Sequence, residues 1–331
     1  MPDDYDLRNA IYTPQQSATY SVQAAEQARA NKNVGLSMPI PVLGDYFAPL
    51  APGQVCAIIA QTSHYKSGFL HFLEHESAKR LMAEGREDEI IIHVSVEECV
   101  EEQTFLELAR YSSEDAGGLA VGRIQDWDRL MKAAMEVGLI PIYRIGDSLA
   151  RAEDMPNLYM SNMIRAIKLL VEELLDWRPK VAGLFFDYLQ AFPYDPEHND
   201  LHIEGKRRLQ VREDIYRLRQ AAAYFKCPVF VAVQAKQHLE GANPPIMLPG
   251  IYDGEESSSI AQRCDRILSL WMPKNTHALG STITAGSSSY LVEENSLWIK
   301  VAKQRGGLPS TKIFRCRIDF RTNSITMVDD K

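Results

Sequence analysis

The 331-residue chain is poor in cysteine: Cys56, Cys99, Cys227, Cys264 and Cys316 lie far apart, and no two form a CxxC pair. That spacing excludes a disulfide framework and a cysteine-based zinc site, and reads as buried thiols in a reducing compartment. No apolar run reaches the length of a membrane span, so membrane contact is not expected. Positive charge is not in excess either. With 36 Lys and Arg against 44 Asp and Glu the net charge is -8, so any grip on nucleic acid must come from local patches. The first stretch, MPDDYDLRNAIYTPQQ, is too acidic and polar for a secretion signal. A cytoplasmic protein is the expectation.

What is present is core material, since 45% of the residues are hydrophobic. Residues 14–32, PQQSATYSVQAAEQARANK, favour a helix by propensity but hold little to bury, so this helix must lean on something else. The proline-rich stretch GLSMPIPVLGDYFAPLAPGQ then opens the main domain, which divides the chain into a tail over 1–34 and a domain over 35–331. Six near-continuous apolar runs follow: VCAIIAQ (55–61), EIIIHVSV (89–96), LIPIYRI (139–145), VAGLFFDYL (181–189), PVFVAVQ (228–234) and RILSLWM (266–272). Helix-periodic stretches such as SGFLHFLEHESAKRLMAEG separate most of them. Continuous hydrophobicity means strands buried on both faces, hence a doubly wound α/β domain with a mainly parallel sheet between helices. The last third alternates instead, in SYLVEENSLWIKVAKQRGG and STKIFRCRIDFRTNSITMVD, which predicts antiparallel hairpins added to one edge.

One absence is chemical. AQTSHYKSG (60–68) follows a strand and precedes a helix, as a phosphate-cradling loop does, but against the pattern G-x-x-x-x-G-K-S/T the two glycines are replaced by Ala60 and Tyr65. Lys66 and Ser67 remain where an ammonium and a hydroxyl would meet phosphates and Mg²⁺. A tyrosine in the sixth position would carry about 1–2 kcal/mol of backbone strain if the loop kept its usual shape. Glu97 ends one strand and Asp187 another, at the carboxyl edge where ligands of parallel sheets gather and where an acid can hold a Mg²⁺-bound water.

Together these residues resemble the RecA-like ATPase domain of DnaB-type replicative helicases, over nearly everything from about residue 36 onward. HVSVEECVEEQ is similar to that family's strand with the catalytic glutamate, here Glu97, and FFDYLQAF to its Walker B segment, with Asp187 and Gln190. Gln234 matches its γ-phosphate sensor. EESSSIAQRCDRIL matches the next loop and helix through Glu256, Ser259, Ile260, Gln262 and Asp265. VAKQRGG resembles the hairpin that reaches a neighbouring subunit's nucleotide, through Lys303 and Arg305. The resemblance implies ATP and Mg²⁺ as ligands, with Ala60, Gln61, Thr62, Ser63, His64, Tyr65, Lys66, Ser67 and Asp187 around the nucleotide and Ser67 and Asp187 serving the metal. It also implies Glu97, Gln234, Lys303 and Arg305 as catalytic groups, a hexamer-like homo-oligomer, and coupling to single-stranded DNA. The 14–32 helix resembles a linker helix that docks on an adjacent subunit, and the tail can also serve other protein partners.

Two departures leave an alternative open. Tyr65 is one; Glu255, in YDGEESS, is the other, standing where the family carries an arginine for the DNA backbone. They fit a nucleotide-binding scaffold or assembly switch with weakened turnover as well as a motor. Lys206, Arg207 and Arg208 in GKRRLQ are the candidate phosphate contacts to nucleic acid, with a solvated helix face as the competing reading. HFLEH (71–75) matches a zinc-peptidase pattern formally, but it lies in the helix after the phosphate loop, with no protease scaffold around it.

Overall fold

The computed structural model describes residues 12–30, 35–149, 158–195, 206–236, 246–254, 258–285, 288–305 and 312–328. Along the chain run α1 (Pro14–Ala30), α2 (Pro41–Tyr46), β1 (Val55–Ala60), α3 (Lys66–Ala83), β2 (Glu89–Ser95), α4 (Val100–Ser112), α5 (Ala116–Ala120), α6 (Trp127–Val137) and β3 (Ile142–Ile145). Then follow α7 (Met160–Leu169), β4 (Lys180–Asp187), α8 (Lys206–Tyr224), β5 (Val229–Gln234), α9 (Ser258–Arg263) and β6 (Arg266–Trp271). β7 (Thr282–Ala285), β8 (Ser288–Leu291), β9 (Ser296–Gln304), β10 (Ile313–Asp319) and β11 (Ser324–Met327) complete it.

Nine strands make one sheet in the order β11-β10-β9-β6-β1-β5-β4-β2-β3, while β7 and β8 pair as a separate hairpin. The six apolar runs are the six strands from β6 to β3, and every pair among them is parallel. β9, β10 and β11 add antiparallel to the β6 edge. The architecture is therefore the doubly wound, RecA-like α/β fold with antiparallel additions.

Each sheet face carries its own core. On one, Phe69 and Leu73 of α3 pack over Phe185 and Phe230, whose rings stack at 5.1 Å. On the other, Met163 and Ile167 of α7 and Val211, Ile215 and Leu218 of α8 cover Val231 and Leu184. Leu139, read as strand, is 75% exposed because the strand starts only after Pro141. The α1 side chains described are all exposed, so among the described residues this helix buries nothing of its own.

Candidate active site

The parallel order places the carboxyl ends of β1, β5, β4 and β2 side by side, and each delivers one candidate group: the loop to Lys66 from β1, Gln234 from β5, Asp187 from β4 and Glu97 just after β2. The β1–α3 loop makes its tight turn without glycine. Ser63 and Tyr65 both have φ of 66°, in the left-handed region, where a non-glycine residue carries roughly 1–2 kcal/mol of strain.

Contacts around the loop oppose that strain. Asn275 Nδ2 donates to the Ser63 carbonyl at 2.7 Å, Gln234 Nε2 donates to Thr62 Oγ1 at 2.9 Å, and Gln61 Nε2 donates to the Lys236 carbonyl at 3.2 Å. His64 Nδ1 accepts the Met272 N–H at 2.9 Å, so its ring proton sits on Nε2; burial pushes this imidazole down to about 4 and keeps it neutral. The Tyr65 side chain is one of the groups that line the cleft beside the loop. It lies against Gly68, where a Cβ would come within 2.5 Å of the ring. Its hydroxyl donates to Asn323 Oδ1, and its edge meets Phe320 at 5.7 Å between centroids. Asn323 Nδ2 in turn donates to the Gly68 carbonyl at 3.2 Å. The tyrosine thus ties the phosphate-type loop to the β10–β11 turn.

Beside this loop opens a cleft of about 460 Å³, lined by Thr62, Ser63, Lys66 and Ser67 on one side and by Glu97 and Glu98 on another. Lys274 and Phe320 form its outer lip, the ammonium 4.9 Å from the ring centroid. Lys66 is 8% exposed, and its Nζ rests 4.4 Å from the Tyr188 ring centroid. Asp187 is fully buried, and neither of its carboxylate oxygens has a hydrogen-bond partner among the described residues. A buried carboxyl group so placed asks for a cation or its water. Gln190 and Gln234 are joined by two hydrogen bonds, side chain to backbone N–H at 3.0 Å and side chain to carbonyl at 3.2 Å, which fixes the ends of β4 and β5 together. Partial burial raises Glu97 above the ordinary carboxylate value, against the pull of Lys66 and with the help of Asp187 and Glu98.

Other predicted residues lie elsewhere. Lys303 Nζ donates to the carbonyls of Ala261 and Cys264 at 2.6 and 2.7 Å, closing the end of α9. Arg305 donates to Asp265 Oδ1 at 2.9 Å, while Asp265 Oδ2 accepts the Val55 N–H at 3.0 Å. Both bases therefore sit at the amino end of β1, the length of a six-residue strand, about 20 Å, from the loop of their own chain. Arg207 donates to the carbonyls of Gln190 and Phe192 and to Gln210 Oε1, which commits it to holding the segment after β4; Arg208 is exposed and Lys206 opens α8. Glu255 and Glu256 lie outside the described residues. In HFLEH, His71 faces Glu74 and Glu98, whereas His75 Nδ1 lies 2.7 Å from Glu107, so the two rings share no ligand position.

Sequence reading missed Glu98, Lys274, Phe320 and Asn323. The last three arrive from distant segments; the one signal was an aromatic and an asparagine in a short turn, DFRTNS, between alternating strands.

No protein-family model and no curated protein sequence matches the chain. Solved structures do. A DnaB-like replicative helicase, described with its interactions with primase, superposes with a TM-score of 0.70 at 16% identity over 93% of this chain. This chain spans 66% of the length of that helicase. A second solved structure, of an ATPase domain, superposes with a TM-score of 0.71 at 16% identity, over 99% of this chain and 100% of the domain. The fold is thus the one shared by that helicase and that ATPase domain.

Proposed function

We propose that the chain is a DnaB-like ATPase that binds MgATP in the cleft beside Lys66, assembles with copies of itself, and couples nucleotide turnover to single-stranded DNA. The observation that carries this reading is the buried Asp187 carboxylate, without a hydrogen-bond partner among the described residues, at the strand end beside the loop that bears Lys66 and Ser67. In this reading Lys66 balances charge on the outer phosphates, and Ser67 and Asp187 hold Mg²⁺ directly or through water. The metal would supply charge neutralisation between phosphates. Glu97 orients the attacking water and accepts its proton; an acid with a raised pKa is a competent proton acceptor near neutral pH. Gln234, bonded to Thr62 of the loop, is suited to sense the outer phosphate.

Lys303 and Arg305 lie too far from their own loop to act on it, so in this reading they complete the site of the next copy. The exposed α1 docks on that neighbour, and Arg208 and Lys206 offer phosphate contacts to DNA. The test is ATP turnover with and without single-stranded DNA for the natural chain, Lys66→Ala and Arg305→Ala. DNA-stimulated turnover, reduced about 10³-fold by either change, is expected. No turnover in an intact assembly that still binds nucleotide would establish the scaffold alternative instead.

A further inference from the structure

We infer that His71 is a positioning residue for the Glu97–Glu98 segment: its imidazolium pairs the Glu98 carboxylate at the cleft wall, which leaves Glu97 as the unpaired carboxylate facing the reacting phosphate. This rests on the ATPase reading of the same cleft.

The geometry fixes the charge of His71. Its Nδ1 lies 2.9 Å from Glu74 Oε1 and its Nε2 lies 3.2 Å from Glu98 Oε2. Carboxylate oxygens only accept, so both ring nitrogens carry hydrogen and the ring is a cation. Although burial opposes the charge, Glu74 and Glu98 together raise His71 to about 10. Glu74 is fully buried and anchored from three elements: by His71 on its own helix, by His93 Nδ1 on β2, and by Arg144 of β3 at 3.2 Å. His71 is thus a rigid arm reaching from the sheet interior to the cleft wall.

Glu98 is what the arm holds. It lines the cleft next to Glu97, and its side chain is one-third exposed. Its backbone is fixed too: the N–H donates to Ser95 Oγ at 3.1 Å, the carbonyl accepts from Gln103 Nε2 at 2.8 Å, and the Glu97 N–H shares the same serine at 3.3 Å. Without His71 a second carboxylate would stand unpaired in the cleft that Lys66 lines, adding negative charge where a triphosphate must bind and raising the proton affinity of Glu97 further.

His71, Glu74 and His93 also bring possible metal-ligand atoms within 4.8 Å of one another. Two features speak against a metal there. The histidine rings stack nearly parallel, at 10° and 4.8 Å, so their nitrogens do not converge on one point, and the Arg144 guanidinium already occupies the Glu74 oxygen nearest His71.

The test compares His71→Phe with His71→Phe/Glu98→Gln in the full assembled chain, measuring ATP turnover and, separately, the affinity for a fluorescent MgADP analogue. His71→Phe should bind nucleotide about tenfold more weakly and lose at least as much in kcat, because one unpaired charge has entered the site. Removing that charge in the double variant should restore both to within about threefold. A support role confined to packing predicts no rescue, and absence of rescue overturns the inference. So would a loss in Glu98→Gln alone equal to that of His71→Phe, or stoichiometric zinc in the purified chain that departs with His93→Ala. If His71→Phe does not fold, the same comparison runs on His71→Gln. Wild type that binds nucleotide without turnover defeats the hydrolysis reading only, since the affinity arm still reads the His71–Glu98 pair; wild type that binds no nucleotide defeats both.

Discussion

Tyr65 adopts the left-handed conformation that its place in the loop demands, and its ring is anchored elsewhere. Two substitutions separate the backbone from the side chain. Tyr65→Phe keeps the ring against Gly68 but loses the bond to Asn323, and should lower stability by about 1 kcal/mol in urea melts. Tyr65→Gly relieves ~1–2 kcal/mol of strain but gives up a partly buried ring and its bond to Asn323, together worth roughly 2 kcal/mol, so it should be no more stable than wild type and should loosen the β10–β11 turn. His64 adds a pH signature. Its folded value of about 4 lies below the ordinary 6.5, so its contribution is present above pH 6.5 and is lost as pH falls toward 4. His64→Asn, which can still accept the Met272 N–H, lacks this titration. The stability gap between wild type and variant should shift against wild type by ~1–2 kcal/mol between pH 7 and pH 5. At this scale the positions of Lys66, Ser67, Glu97 and Asp187 at or after the carboxyl ends of strands were legible, because each follows a buried run. Tyr65 read as a flaw because its partners Asn323 and Phe320 are some 250 residues away in sequence.

The β10–β11 turn is the element on which the cleft's outer lip depends. Arg110 of α4 donates to the carbonyls of Thr322 and Asn323 at 2.7 and 3.3 Å, and Asn323 itself has φ of 48°. Asn323→Ala removes the acceptor of the Tyr65 hydroxyl and forces a Cβ-bearing apolar residue into the left-handed region. Asn323→Gly loses the same side-chain bonds, to Tyr65 and to the Gly68 carbonyl, but not the backbone's ease in that region, so it should be about 1 kcal/mol more stable than Asn323→Ala by thermal or urea melting. α4 also shows what the sequence concealed. Its buried positions include Gln103 and Glu107, so the inward face looks solvated when only hydrophobic period is read. The six parallel strands were legible for the opposite reason: their runs are nearly continuous in apolar residues, with only isolated polar ones such as His93, Arg144 and Ser269 among them. The β7–β8 hairpin escaped notice because TITA and SSYL are short and mostly exposed.

For the whole molecule, separation between Lys303, Arg305 and the loop of their own chain makes turnover a property of the assembly in the proposed reading. Specific activity should therefore rise with protein concentration until assembly is complete, and level off there. Mixing Arg305→Ala with Glu97→Gln should restore part of the activity, since some boundaries then pair an intact loop with an intact arginine; mixed assemblies with none would remove the trans role. The fold at this scale was legible from the alternation of apolar and helix-periodic runs and from the edge additions, whereas the contacts of α1 were not, because a helix whose described side chains are all exposed carries no pattern naming its partner.

The two poles of the sheet have an arithmetical outcome. If donor and acceptor poles meet head to tail, an open stack always leaves one pocket without its guanidinium at one end and one guanidinium without a pocket at the other. Only a closed circle, or a stack long enough to make its ends negligible, brings every copy into use.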